Sequence, residues 1–520
     1  MSTIFDRFVS ERRPLATSVT ARVAVVDIAT AAALTLLGAL VRLSAQDGIL
    51  LYPDSYQFLL VIRGLAEGIP LDAAMGAGGA VWSAPFYRLG YPILASPLQL
   101  VLRDPEAAAQ ALSLAAGTAT IPMVYLLTRL ALRSRAAAIG AGLVAALSFS
   151  LATWSNFVMP EATAVFLLTL SMLLAYLAGR GGQAVAAAAA LTTALLVLVR
   201  FEMILAVPSL LAFIALGARQ ARGNPLPLVR VYLMSLASLI FAFVLALWWA
   251  FGDVMSGFSL NPISFFHAHF VESTADAQQG APALSSLRDF LDRDPLLILA
   301  GGIGLTLALR RRREQRWALW LQVLPLFPLY VLRNDMRYFV LLTPALAYAS
   351  GLAFGEAWAA LSRLATSQRA APALAVSTAT SLALLALVFW QTDLTNDTWH
   401  ASQNYEYAAA TEVDKRLANL DLSEQPILCA HYAEAYYYVT ELPTRRADAD
   451  ALAACLDTDG QSGPVLLIVD APLRMSANDG MDSLEEATGP MVLEASPSAP
   501  FLHGHHSYLD TELIRGYLLR

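Results

Sequence analysis

Long uncharged apolar runs, recurring between residues 23 and 390, limit what this chain can become more than any other feature. A helix needs about 20 mainly apolar residues to cross a bilayer, and runs close to that length occur about eleven times. They lie at Val23–Leu43, Ala107–Leu130, Ala136–Ala152, Ala162–Ala178, Ala184–Val199, Met203–Gly217, Val231–Phe251, Pro295–Leu309, Trp317–Leu332, Phe339–Trp358 and Leu374–Trp390. The runs at Ala184 and Pro295 are short and fit tilted or partly buried helices. Only 14% of the 520 residues are charged and mean hydropathy is +0.55. A soluble domain carries roughly a quarter charged residues. A soluble enzyme, a disordered chain and a disulfide-dense scaffold are thereby excluded. A net charge of −7 leaves no basic footprint, so nucleic acid is not expected as a partner.

The arginines orient the spans. With the N-terminus in the cytoplasm, the inner connections hold Arg129, Arg133 and Arg135, then Arg180, then Arg219, Arg222 and Arg230, then Arg310 to Arg313 with Arg316, then Arg363 and Arg369. Positive charge favours the cytoplasmic side, and the longer odd connections are sparser in it. The first run is too long for a cleaved signal peptide and follows Arg12, Arg13 and Arg22, so it reads as a signal anchor. A prokaryotic plasma membrane is the expected location, although the topology also fits an endoplasmic reticulum.

Three regions then face outward: a first loop (44–106), a second long loop (252–294) and everything after residue 391. The chain therefore divides into a membrane domain, 1–391, and an extracytoplasmic domain, 392–520. The tail gains charge and loses long apolar runs. Asn404–Leu420 reads as a helix, Pro426–Ala430 and Pro464–Asp470 as short buried strands, and Asp448–Leu456 as a helix between them. Such alternation points to a small α/β domain. The two cysteines, Cys429 and Cys455, both lie there. An oxidising compartment allows them to pair; two separate structural cysteines are the alternative.

Acids are scarce inside the runs and concentrate near the outer ends. Asp27 sits near the cytoplasmic end of the first run. That distribution favours a site at the outer surface over a path through the bilayer. The first outer loop opens with Tyr52-Pro53-Asp54-Ser55-Tyr56 and continues through Gly64-Leu65-Ala66-Glu67-Gly68-Ile69-Pro70 to Trp82, Tyr87, Tyr91 and Pro92. Further on come Met159-Pro160-Glu161, Arg200-Phe201-Glu202 and Arg337-Tyr338 with Pro344. In this order the motifs resemble the GT-C glycosyltransferases, in the branch of protein O-mannosyltransferases and aminoarabinose transferases. The resemblance covers residues 23–390 and leaves out the tail. One departure stands out: Asp54 is followed by Ser55 where the family often has a second acid, which weakens a metal role more than a base role.

The apolar runs and the resemblance together give a polytopic α-helical membrane protein, a GT-C-like bundle of about eleven transmembrane helices, to which the tail's own pattern adds a small extracytoplasmic α/β domain. The resemblance also implies hexosyl or pentosyl transfer, with inversion, from a polyprenyl-phosphate-linked sugar to a hydroxyl acceptor on protein, glycan or lipid. A hydroxyl needs a positioned base, and Asp54 is the candidate. The departing phosphate needs cationic stabilisation, for which Arg337 and Arg333 are placed. Glu161 is the second catalytic candidate, and Arg200, Glu202, Tyr56, Tyr87 and Tyr91 are expected to contact substrate or lipid phosphate. The spans would hold the lipid tail, consistent with the lack of a Walker A or Rossmann motif. No cofactor is demanded, and a divalent cation such as Mg or Mn is left open.

Each residue has a structural alternative. Asp54 with Gln57 forms a capping-box pattern. Pro160-Glu161 makes a good helix start without any substrate. Arg200 and Glu202 could pair across a loop. Arg337 could anchor at the interface, yet arginines around Asn334-Asp335 oppose the charge bias. His267 and His269 lack a nearby third ligand and are not read as a metal site. The competing function classes are a transporter or lipid flippase, which needs polar groups or broken helices at bilayer depth, and a non-catalytic scaffold of the same fold.

Overall fold

The structure, a computed structural model, describes residues 17–44, 51, 53–68, 89–221, 223–255, 285–310, 313–333, 336–365, 405–420, 425–430, 433–447, 464–469, 491–495, 502–503, 506–507 and 514–519. In chain order the membrane region gives α1 (Thr17–Ser44), α2 (Pro53–Glu67), α3 (Gly90–Leu102), α4 (Pro105–Leu132), α5 (Arg135–Leu147), α6 (Phe149–Asn156), α7 (Glu161–Gly181) and α8 (Gln183–Val199). A 3₁₀ turn (Phe201–Ala206) leads into α9 (Val207–Gln220), followed by α10 (Leu226–Met255), α11 (Ser285–Arg293), α12 (Pro295–Ala308) and α13 (Arg313–Arg333). Short turns at Met336–Leu342 precede α14 (Thr343–Ala365).

Every expected span as far as Trp358 is occupied by helix, because run length is a local signal that tertiary context rarely overrides. Leu374–Trp390 lies outside the described residues. Three spans are irregular, one of them the run from Phe339, which opens with a 3₁₀ turn at Val340–Leu342. The run from Ala136 breaks at Ser148, where α5 and α6 bend by 47°. The run from Met203 begins as the 3₁₀ turn. Among the described residues six helices are long and apolar enough to cross a membrane, or seven if the bent pair is one span. The protein is an integral membrane protein. The helices at Gln183–Val199 and Pro295–Ala308 are shorter, as their sequences imply.

The chain forms two compact units: Met1–Gln46, Ser113–Asn156 and Pro160–Thr395 in one, and Asp47–Leu112, Phe157–Met159 and Asn396–Arg520 in the other. Small residues set the helix spacing in the first. A Cβ on Gly179 of α7 would lie 2.0 Å from the amide of Ala218, and one on Gly217 of α9 only 1.9 Å from the carbonyl of Tyr176. The two backbones are in direct contact, as is common where lipid supplies no hydrophobic drive between helices. Asp27 of α1 accepts from Tyr125 Oη at 2.8 Å, Arg135 Nε at 2.9 Å and Arg129 Nε at 3.2 Å, tying α1 to α4 and α5.

The second unit carries the α/β tail. It comprises α15 (Tyr405–Leu417), β1 (Ile427–Ala430), α16 (Ala433–Thr440), β2 (Thr444–Arg446), β3 (Val465–Val469), β4 (Met491–Ala495), a small hairpin of β5 (Leu502–His503) and β6 (His506–Ser507), and β7 (Ile514–Leu519). The sheet order is β2-β1-β3-β7-β4. β1 pairs in parallel with β2 and β3, and β7 pairs antiparallel with β3 and β4. β1 and β3 fall on the two expected apolar runs, and α15 on the expected helix; Asp448–Leu456 lies outside the described residues. Ala409, Val413, Leu428, Tyr436, Leu466 and Ile468 form the core of this layer. Cys429 of β1 is disulfide-bonded, and the sequence has one other cysteine, Cys455. On the outer face of α15, Lys415 Nζ lies 3.5 Å from Glu412.

Candidate active site

In the first unit, three charged side chains meet where α7 starts and α8 ends. Pro160 opens α7, so Glu161 occupies its first turn, where the helix dipole favours a carboxylate. Arg200 follows α8 in extended conformation, φ −149° and ψ 101°, and the 3₁₀ turn begins immediately after it. That kink lets residues two apart face each other, which a continuous helix forbids. Arg200 Nη1 donates to Glu202 Oε1 at 3.1 Å, and Nη2 donates to Glu161 Oε1. Glu161 and Arg200 are 0% exposed and Glu202 2%.

The cluster is incomplete. Glu161 Oε2, Glu202 Oε2 and Arg200 Nε are buried without a hydrogen-bond partner among the described residues. Both carboxylates share the one Arg200 guanidinium. Unmade bonds at buried charged groups are expensive, and native structures rarely keep them without a reason. The guanidinium of Arg200 lies 4.8 Å from the ring centroid of Tyr338, and that of Arg337 lies 5.3 Å from the same ring. One tyrosine face system thus holds both arginines close together. Arg337 is 7% exposed. Arg333 ends α13, and its side chain lies outside the description.

In the second unit, Asp54 occupies the first turn of α2 and is half-buried. Ser55 beside it is fully buried and donates to the carbonyl of Val158 at 2.8 Å. Ser55 therefore fastens the start of α2 to residues 157–159 of the same unit. Tyr56 is buried, its ring 6.1 Å from that of Tyr438 on α16. Tyr91 is buried as well, with its hydroxyl donating to the carbonyl of Ala109 at 3.0 Å and its ring edge-on to Phe58. Tyr87 lies outside the described residues, as do His267 and His269. Tyr438 also donates to Glu106 Oε1 at 3.0 Å and lies under the Arg63 guanidinium at 5.9 Å. Burial and the neighbouring Glu106 push the Tyr438 hydroxyl far above its usual range. Burial and the acids Glu106 and Asp104 raise Tyr407 too.

Structure thus brings Glu161, Arg200, Glu202 and Arg337 together in one unit and places Asp54, Tyr56 and Tyr91 in the other. Among the described residues, no three of His, Cys, Asp or Glu gather as a metal site. Two buried charges escaped the sequence reading. Arg42 near the C-terminal end of α1 and Asp294 at the start of α12 are both 0% exposed. The signal for Arg42 is an arginine inside the last turn of an otherwise apolar span.

Comparison with known proteins bears on this arrangement. Residues 78–257 match a family model described as dolichyl-phosphate-mannose-protein mannosyltransferase. No curated protein sequence matches. The crystal structure of ArnT from Cupriavidus metallidurans bound to undecaprenyl phosphate is similar at TM-score 0.57 and 13% identity, covering 94% of this chain and 97% of that one. This is a GT-C fold. The apo structure of the same ArnT is similar at TM-score 0.56 and 13% identity, covering 96% of this chain and 98% of that one. The likeness in fold spans nearly the whole chain, further than the residues that the sequence motifs reach.

Proposed function

We propose that the protein is a GT-C glycosyltransferase that moves a sugar from a polyprenyl-phosphate-linked donor to a hydroxyl acceptor at the outer membrane face, with inversion. The observation that carries this reading is the fold shared over nearly the whole chain with an ArnT solved with undecaprenyl phosphate bound. The family match over residues 78–257 supports the same chemistry. The disulfide at Cys429 supports an outward-facing tail, since such bonds persist in oxidising compartments.

In the reaction, Asp54 takes the acceptor proton as the acceptor oxygen attacks the anomeric carbon. The bond from that carbon to the phosphate oxygen breaks, and the polyprenyl phosphate leaves. Phosphate is already a weak base and needs no strong acid; it needs positive charge near its oxygens, which Arg337 and Arg333 supply. Glu161 and Glu202, each with an oxygen to spare, accept from sugar hydroxyls. No step is routed through a metal ion.

A flippase would favour a broken span open to its cargo. One span is broken, between α5 and α6, but protein groups occupy both ends of that break. Transfer is the stronger reading. The test is sugar release from radiolabelled polyprenyl-phosphate sugars in proteoliposomes, with Asp54→Asn alongside. Turnover is expected to fall by about 10²–10⁴ while donor binding persists. Full activity in the variant would remove Asp54 from the mechanism. Lipid movement without turnover would favour the flippase.

A further inference from the structure

A break inside a membrane span frees the last carbonyls of one helix and the first amides of the next. In an apolar interior those groups must find partners. At the α5–α6 break the partners are two charged side chains from distant parts of the chain. On the α5 side, Arg42 donates through Nη1 to the carbonyl of Ala146 at 3.3 Å and through Nη2 to that of Ala145 at 3.5 Å. Its remaining bonds run from Nη1 to Gly38 O at 2.8 Å and from Nε to Ser155 Oγ at 3.3 Å. On the α6 side, Asp294 Oδ2 accepts from the amide of Ser150 at 3.1 Å and from Ser148 Oγ at 2.6 Å. Ser148 Oγ in turn accepts from the amide of Leu151 at 3.2 Å.

The signs are matched. A cation sits at the carbonyl end of α5 and an anion at the amide end of α6, each favourable to the dipole it faces. Arg42 meets no carboxylate among the described residues, so backbone dipoles and a hydroxyl are its whole compensation. Space is reserved for it. A Cβ on Gly117 would lie 1.9 Å from Ser155 Oγ and 3.4 Å from Arg42 Nε, and one on Gly38 would lie 3.0 Å from Nη1. The far end of α6 is tied to α1 as well, through Asn156 Nδ2 donating to the carbonyl of Arg42 at 3.1 Å. All eight residues of α6 are buried.

We infer that Arg42 and Asp294 are positioning residues that clamp the two ends of this break and so set the path of α6. The consequence lies downstream. α6 ends at Asn156, and α7, with Glu161 in its first turn, begins shortly after it in the same unit. Neither clamp residue touches substrate; they act through where α6 ends. The effect on activity rests on the transfer reading above, but the clamp itself does not.

The test uses the full chain in nanodiscs. Asp294→Ala and Arg42→Met are compared with wild type by amide hydrogen exchange, with Arg42→Lys and Asp294→Asn as milder variants should either fail to fold. Exchange at residues 149–160 is expected to rise about tenfold while that of α7 beyond residue 169 stays unchanged. Because both residues hold one element, the double variant should be no worse than the more severe single one. In proteoliposomes, kcat should fall about tenfold with donor KM held within about twofold. Unchanged exchange at 149–160, or a rise spread evenly through the bundle, would overturn the clamp. A wild type that turns over no donor would sink the transfer reading and leave the exchange result to judge the clamp by itself.

Discussion

Arg42 and Arg200 are both wholly buried in the membrane unit, yet their surroundings differ in kind. Arg42 is enclosed by carbonyls and a hydroxyl, and every bond it makes goes to a neutral oxygen. Arg200 is held by two carboxylates, each with a second oxygen that finds no partner among the described residues, and its own Nε is likewise unmet among them. A site that is finished holds structure; a site that is unfinished holds room for something else. Burial alone does not separate the two arginines. The completeness of their bonding does.

Stability gives the largest contrast. Arg200→Met strands two carboxylates in a buried setting and should cost about 3–5 kcal/mol. Arg42→Met strands only carbonyls and should cost about 1–3 kcal/mol. Thermal unfolding in detergent measures both, and a reversed order would break the comparison. Next comes a split between stability and turnover. Glu202→Gln keeps an oxygen that can accept from Arg200 while removing a charge, so unfolding should shift little, while turnover drops about 100-fold. A variant that loses both in proportion would make the Arg200 cluster a structural one like its counterpart.

The smallest effect lies in the tail. The Tyr438 hydroxyl is raised above its ordinary value by burial and by Glu106. A raised folded-state value contributes stability that is complete below the unfolded value, near pH ~10, and is lost as pH climbs above it. Tyr438→Phe should therefore flatten the alkaline decline in melting temperature above pH ~10. An unchanged slope would mean that the tyrosine is not linked to folding in this way.

How much of this could be read from the residues follows the range of the forces involved. Spans up to Trp358 were legible because each apolar run is its own evidence. β1 and β3 were legible for the same reason. β4 and β7 were not, since their antiparallel pairing depends on chain far away. Glu161, Arg200 and Glu202 were legible as polar punctuation at span ends, and a local Arg200–Glu202 pair was among the alternatives. The bond from Arg200 to Glu161 joins positions 39 apart, and nothing local announces it. Ser55 was noticed as a missing acid; only the fold shows what it holds. Arg42 and Asp294 are not legible, because a charge at a span end normally needs no explanation. The break that gives them one is a single bent residue, Ser148.

The pair of Lys415 and Glu412 on α15 has a practical side. Lys415 is the sequence's one lysine, and its side chain is 67% exposed. A lysine-specific protease therefore has one address in the chain, and that address lies in the tail. Sealed right-side-out vesicles would yield two fragments if the tail is outside and an intact band if it is not, so the protein carries its own reporter of which way it faces.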